Sequence, residues 1–464
     1  MKDISRTRVE TPALMPVRHQ PILPDAVLRW LETVLVERFG IDLHLSRTGE
    51  GILMTTTGAK DHLLFDRFEP AFTDSGCSLR FASWDACKEG WQAVLGSPLP
   101  APTNVDLPAP LVERRGSQHV VHYDLLGLVY WMLTRAEEVE AKALDDHQRF
   151  PAGASHAFRH QYLDRPVVDE WLHLLGQVIQ RQWPGIALKQ HRFRMLVSHD
   201  VDSPGRYAFA SWQNVLRRMA GDIARRKWRA SGSGPWVKLT SRSSIHAADP
   251  NNTFGWIMDQ SEQRGLRSAF YFICGHTSPL DGEYDVGHPA IRRLIREIHA
   301  RGHEVGLHPS YNTFDDPMAL KSEADRLRQL CKEESVSQDA WGGRMHYLRW
   351  RHPETQRAWA AAGLDYDSTL GYADHTGFRC GTCFEYPAFD PVRLEPLTIR
   401  VRPLIAMEVT VFNKKYMGCD NAAALGVFER LKRACHAVGG NFTVLWHNSE
   451  MTRRKGLYQQ VLDL

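Results

Sequence analysis

The sequence predicts an α/β protein in two units. Residues 1–190 read as an α/β or α+β unit, and residues 191–464 as a parallel α/β sheet or barrel. Three observations carry this. The chain has 464 residues, too many for one ordinary core. From about Arg192, short apolar runs alternate with helical stretches, the pattern of a parallel sheet. Residues able to do chemistry stand directly after those apolar runs, where such folds collect their sites.

In the first unit, Pro24-Asp25 opens an apolar-periodic run through Leu35, the signature of a helix start. Asp124 can cap a second helix over 125–141, whose apolar face includes Leu125, Leu128, Val129, Met132 and Leu133. The polar tail of that helix is expected to face solvent. A third helix fits 167–182, between Arg165-Pro166 and Trp183-Pro184-Gly185. No catalytic constellation is visible in this unit, and His122, Asp145, Asp146 and His147 read as solvated or structural.

In the second unit, Met195-Leu196-Val197 is a short buried strand leading into Asp200-Val201-Asp202. A basic stretch, 217–229, ends in Ser231-Gly232-Ser233-Gly234-Pro235 and reads as a helix plus flexible loop. It is either a solvated helix face or a cradle for an anionic substrate. Strands are expected at 268–273, 303–307 and 441–446, and helices at 289–300, 319–331 and 355–362. Asp200, Asp202, His308 and His447 each follow an expected strand, which predicts one shared site.

The composition, 43% hydrophobic and 24% charged, is that of a soluble globular protein. A net charge of +3 gives no case for nucleic acid as the main partner. The longest apolar run, 125–133, is far short of the roughly 20 residues of a membrane helix. Met1-Lys2-Asp3-Ile4-Ser5-Arg6 lacks a secretory apolar core, so a cytoplasmic location is expected, with the eight cysteines as reduced thiols. Cys380 and Cys383 form a lone C-x-x-C, read as a loop with two small buried residues rather than a zinc site.

Asp202 and His308 can bind a divalent cation, with zinc, cobalt or manganese suited to mixed oxygen and nitrogen ligation. Such a cation polarises a carbonyl and activates a water. Asp200, on the same strand face as Asp202, can take the water's proton. His447 can protonate a leaving nitrogen.

Gly302-His303-Glu304-Val305-Gly306-Leu307-His308 resembles the G-H-E-[IV]-x-x-H segment of the polysaccharide deacetylases, carbohydrate esterase family 4, the nodulation-type deacetylase homology domain. Asp200-Val201-Asp202 resembles the family's first motif. Arg344-Met345-His346-Tyr347 is similar to its third motif, R-x-P-[YW], and Val444-Leu445-Trp446-His447-Asn448 to its last. The resemblance covers about 192–464 and implies a distorted (β/α) barrel of the polysaccharide deacetylase type. It implies Asp200 as base, Asp202 and His308 as metal ligands, and His447 as general acid. It also implies that Arg344 orients Asp200, that the Tyr347 backbone N–H feeds an oxyanion hole, and that Asp367 in Asp365-Tyr366-Asp367-Ser368 steadies Arg344. The first 190 residues resemble the N-terminal domain of one bacterial branch of these proteins.

The sequence departs from the family at named positions. The second motif, H-[ST]-x-x-H, reads His308-Pro309-Ser310-Tyr311-Asn312, which makes Asn312 the expected third ligand. The site is then an Asp-His-Asn triad, recruits another ligand, or has lost tight binding. His199 replaces a phenylalanine and His346 a proline, either to contact an anionic substrate or as packing changes. His303 matches a position that is not a ligand and reads as structural.

The resemblance implies a metal-dependent hydrolase removing an acetyl group from an N-acylated amino sugar. The expected substrate is a nucleotide- or lipid-linked precursor in surface-polysaccharide biosynthesis, and peripheral membrane contact is compatible with it. The alternatives are a deformylase or other small C–N amide hydrolase on the same fold, and a non-catalytic glycan-binding protein. The oligomeric state is left open.

Overall fold

The computed structural model describes residues 23–74, 79–224 and 228–464. Its first half holds a five-stranded sheet in the order Leu43–Arg47, Ile52–Thr56, Leu63–Phe65, Gln118–Val121, Val112–Arg115. Only the Leu63–Phe65 and Gln118–Val121 pair is parallel. Helices Asp25–Phe39, Leu125–Thr134 and Val167–Gln182 belong to this half and bury their apolar faces.

The expected helix over 125–141 stops at Thr134, because Arg135 turns into the left-handed region with φ 56°. Most of its polar tail does not face solvent, Glu140 being the exposed exception. Arg135, Glu137 and Glu138 are all buried, and the Arg135 Nε donates to Glu138 at 2.8 Å. A buried charge needs a partner, and these residues supply one another's.

The second half is built on a nine-stranded sheet. Its order is Tyr386–Asp390, Glu395–Val401, Tyr366–Asp367, Gly342–Gly343, Glu304–Leu307, Ser268–Phe272, Arg194–Val201, Asn441–Leu445, Ala406–Met407. Every neighbouring pair is parallel except the first. The residues of Ser268–Phe272 and Asn441–Leu445 are buried on both faces, as central parallel strands require. Among the described residues no strand ladder joins the two ends, so the sheet is parallel α/β but not closed by pairing. A backbone bond from Leu404 N–H to Leu370 C=O, 3.1 Å, ties together the segments that follow the neighbouring strands Glu395–Val401 and Tyr366–Asp367.

The Ser-Gly-Pro run expected as a flexible loop lies within a helix, Trp228–Thr240, packed on the helix Trp212–Ala224. Gly234 explains part of this. A Cβ there would lie 3.0 Å from the Met219 sulfur and 3.3 Å from the Tyr207 ring, so the glycine allows close packing that outweighs its weak helix propensity. Residues 225–227 of the basic stretch lie outside the described residues.

One hydrophobic core runs through both halves. Polar links cross between them as well. The Trp30 Nε1 donates to Pro387 C=O at 3.0 Å, Tyr386 Oη to Leu133 C=O at 2.8 Å, and buried Arg379 Nε to Glu138 at 2.9 Å.

Candidate metal centre and catalytic cavity

The parallel strands end on one side of the sheet, and the chemistry collects there. Asp200 is the penultimate residue of the strand Arg194–Val201, with Asp202 immediately beyond the strand. Side chains alternate along a strand, so Asp200 and Asp202 point to one face while His199 points to the other. His308 follows Glu304–Leu307, Arg344 follows Gly342–Gly343, and His447 follows Asn441–Leu445 with Trp446 between. Gly343 sets the spacing. A Cβ on it would lie 1.8 Å from the Leu307 carbonyl oxygen, so only glycine lets this strand close on its neighbour and bring Arg344 beside His308.

Asp202 faces three imidazoles. Its Oδ1 lies 3.1 Å from His308 Nε2 and 3.7 Å from His346 Nε2, and its Oδ2 lies 3.5 Å from His447 Nε2. Burial would raise this carboxyl, but His346, His308 and His447 outweigh it and hold it far below the usual carboxylate range. The Nδ1 atoms of all three rings are committed elsewhere, that of His447 to Glu408. His308 Nδ1 lies 2.6 Å from Arg344 C=O, and His346 Nδ1 lies 2.9 Å from Asp281 Oδ1. A carbonyl only accepts, so His308 Nδ1 carries a proton, and Nε2 is the ring nitrogen that a neutral His308 would offer to a cation.

The residues Asp202, His308 and His346 therefore offer one oxygen and two nitrogens within 4.8 Å of one another. The Asp202 Oδ1 is buried and has no hydrogen-bond donor. Three ligand atoms converging on one point, one of them an orphaned carboxylate oxygen, fit a divalent cation of the zinc, cobalt or manganese kind. Asn312 is differently placed. It is exposed, its Nδ2 donates to Thr277 C=O at 2.7 Å, and its Oδ1 accepts from Arg349 at 3.2 Å. His346 occupies the position facing Asp202 that the sequence reading gave to Asn312.

Asp200 and His447, the expected base and acid, are held as firmly. Buried Asp200 accepts from Arg344 Nη1 at 2.8 Å, and its other oxygen lies 3.8 Å from His308 Nε2. Arg344 is fully buried, and its remaining donors go to Ser368, to C=O and Oγ at 2.9 Å each. Ser368, rather than the Asp367 carboxylate, meets the guanidinium. The Asp367 Oδ1 accepts from Thr369 N–H at 2.8 Å, and burial pushes its carboxyl up to about 6. Thr369 Oγ1 then accepts from Met345 N–H at 3.0 Å, so Asp367 reaches the Arg344 segment through Thr369.

His447 Nδ1 lies 2.6 Å from the buried Glu408. Burial lowers the imidazolium, but Glu408, with Asp202 and Asp200 behind it, pushes it up to about 10. Glu408 escaped the sequence reading. It follows the apolar run 404–407, so the strand-end rule that found His447 could have found it too. Asp281 also escaped. It sits in a loop, where it accepts from the Thr277 and Ser278 N–H groups at 2.9 and 2.8 Å while holding His346.

His199 takes no part. It is fully buried, stacks on Phe270 at 4.9 Å, and places Nδ1 2.6 Å from Trp446 C=O. Burial holds its imidazolium down to about 3, so it packs as a neutral ring. His303 is likewise buried, with Nδ1 accepting the Ser268 N–H at 3.0 Å. Cys380 and Cys383 are buried thiols whose pKa values burial raises.

Tyr347 is the last of the expected site residues. Its φ of 61° and ψ of 12° place it in the left-handed region. Among the described residues nothing accepts its N–H. It lines a cavity of about 320 Å³ together with Asp200, Asp202, His308, His346 and His447. A second hollow of about 400 Å³ shares Asp202, His346 and Tyr347 and adds Arg217 and Arg218.

Residues 33–184 match the profile of a family of unknown function (DUF7033). No protein of curated function matches the chain. Solved structures similar to part of the chain include a Mycobacterium smegmatis protein described as a polysaccharide deacetylase, 14% identical with a TM-score of 0.38, covering 61% of this chain and 85% of that one. Another is the Puue allantoinase, 13% identical with a TM-score of 0.34, covering 61% and 85%. A third is a Pseudomonas aeruginosa PAO1 protein described as a polysaccharide deacetylase, 12% identical with a TM-score of 0.36, covering 59% and 84%. Likenesses of this size decide nothing about chemistry, and the functional reading rests on the site itself.

Proposed function

We propose that this chain is a metal-dependent amide hydrolase that removes an acyl group, acetyl in the first instance, from an amino sugar. The observation that carries the reading is the convergence of Asp202, His308 and His346 beside an arginine-held Asp200 and a carboxylate-held His447, all lining one cavity. The sequence resemblance to the polysaccharide deacetylases points the same way.

In this reading Asp202, His308 and His346 hold the cation, which when bound polarises the amide carbonyl and acidifies a water. Asp200 accepts the water's proton. Arg344 keeps that carboxylate aimed, its Nη1 donating to Asp200 Oδ1 at 2.8 Å. The Tyr347 N–H is free to donate to the oxygen that gains charge as water adds to the carbonyl. His447, held protonated at neutral pH by Glu408, gives a proton to the departing nitrogen.

The second hollow, with Arg217 exposed and Arg218 partly so, suits a phosphate-bearing carrier. A nucleotide- or lipid-linked precursor in the cytoplasm is the substrate class proposed. No helix among the described residues is long and apolar enough to cross a membrane.

The test is a panel of UDP-linked and free N-acetyl and N-formyl amino sugars, incubated with zinc-, cobalt- or manganese-loaded protein. Acetate and formate are measured separately. Acetate release that Asp200→Asn abolishes supports the reading. Formate alone makes the chain a deformylase. Binding without release of either acid makes it a glycan-binding protein.

A further inference from the structure

The half of the chain that matches the family of unknown function reaches into the site through one side chain. Tyr347 and Leu348 are consecutive non-glycine residues in the left-handed region, with φ of 61° and 54°. That conformation costs roughly 1–2 kcal/mol per residue, so surrounding structure has to hold it. Arg149 does so from the other half, its Nη1 donating to Tyr347 C=O at 2.7 Å.

Arg149 is itself fixed. It is buried, with Nε and Nη2 on Asp145 Oδ2 at 2.8 and 2.7 Å and Nη2 also 3.3 Å from Tyr416 Oη. Asp145 also accepts the backbone N–H groups of His147 and Arg149, each at 2.9 Å, which closes the turn that presents the guanidinium. The same segment braces the loop twice more. His147 C=O accepts from Arg349 Nε at 2.9 Å, and the His147 ring lies 4.8 Å from the Tyr347 ring. Arg149 lines the catalytic cavity, and most of its donors are spent on the protein.

We propose that Arg149 is a positioning residue: it pins the Tyr347–Leu348 peptide so that the Tyr347 N–H stays available at the cavity. The N-terminal half is then a working part of the active site. This rests on the amide-hydrolase reading above, in which that N–H stabilises developing charge.

The experiment compares the full-length, metal-loaded wild type with Arg149→Met, Arg149→Lys and Asp145→Asn. Each is assayed on whichever member of the panel the wild type turns over fastest, with metal content measured in parallel. A crystal structure of Arg149→Met gives a readout independent of activity. The expected result is a kcat lowered about 10- to 100-fold in Arg149→Met, with KM within about threefold and metal content unchanged. Arg149→Lys, which keeps one donor, recovers most of the loss, and Asp145→Asn falls between. In the crystal, Tyr347 and Leu348 leave the left-handed region.

A raised KM with kcat held would make Arg149 a substrate contact and overturn the proposal, as would an unchanged kcat. Should Arg149→Met fail to fold, Arg149→Lys and Asp145→Asn carry the same kinetic and crystallographic comparison. A wild type inactive on every N-acyl substrate defeats the hydrolase reading alone. An unmoved loop in the variant crystal defeats the positioning role alone.

Discussion

Asp200 and Asp202 stand two residues apart on one strand face and meet different partners. Asp200 is held by an arginine, and Asp202 faces three imidazoles. The shared face was legible in the sequence because strand ends and side-chain alternation are local properties, whereas the arginine partner was implied only by the family resemblance. His346 was visible but ambiguous, since only the fold shows that Asp281 turns its ring toward Asp202. Ser368 and Asp281 were not legible, because each acts from a loop across a long sequence separation.

Two predictions belong at this scale. Glu408→Gln should lower kcat about 10- to 100-fold, with metal content intact, because an amide stabilises the His447 imidazolium less than a carboxylate does. Steady-state kinetics with parallel metal analysis checks it. His352 is buried with neither ring nitrogen hydrogen-bonded, and burial lowers its pKa to about 4. The unfolded chain therefore binds this proton more readily than the folded one. Stability from this group is fully present above about pH 6.5 and is lost as pH falls toward about 4, by up to about 3 kcal/mol. Urea unfolding at pH 7.5 and pH 4.5 should show a smaller acid loss in His352→Phe than in the wild type.

Among the elements, the long helices and strands were legible from periodicity. The helices Val167–Gln182 and Pro289–Ala300 and the strand Glu304–Leu307 lie where their patterns put them, within a residue or so. The strands Gly342–Gly343, Tyr366–Asp367 and Ala406–Met407 are two residues each and carry no readable period. The helix through Ser231–Pro235 was misjudged because packing overrode composition. Glycines give the test here. Gly343→Ala should destabilise by more than about 2 kcal/mol, or prevent folding, because its Cβ meets backbone that cannot yield. Gly232→Ala, on an exposed helical site with nothing within 4 Å of the new Cβ, should instead stabilise by up to about 1 kcal/mol. Chemical denaturation of the two variants reads both signs.

For the whole molecule, the two-unit division read from length was a prior about size. The structure has two large sheets and a two-stranded one, yet the core is continuous and buried charges cross between the halves. Glu138 faces Arg379 and Arg135, and although burial opposes its ionisation the two arginines hold it at about 2. A folded carboxyl below its ordinary value adds stability above about pH 4.5 and loses it as pH falls toward about 2. Glu138→Gln should cost about 3–5 kcal/mol at pH 7, since it leaves the buried Arg379 without its carboxylate and Arg135 with Glu137 alone. It should do so in one cooperative transition, seen alike by circular dichroism and tryptophan fluorescence.

The central claim is that Asp202, His308 and His346 hold a catalytic cation and that Asn312 does not. Elemental analysis of the purified full-length chain tests it most directly, comparing the wild type with His346→Ala and Asn312→Ala. The account predicts a divalent metal in equimolar amount in the wild type and in Asn312→Ala, and its loss in His346→Ala. Metal retained in His346→Ala but lost in Asn312→Ala, or no metal bound by the wild type after loading, would contradict it.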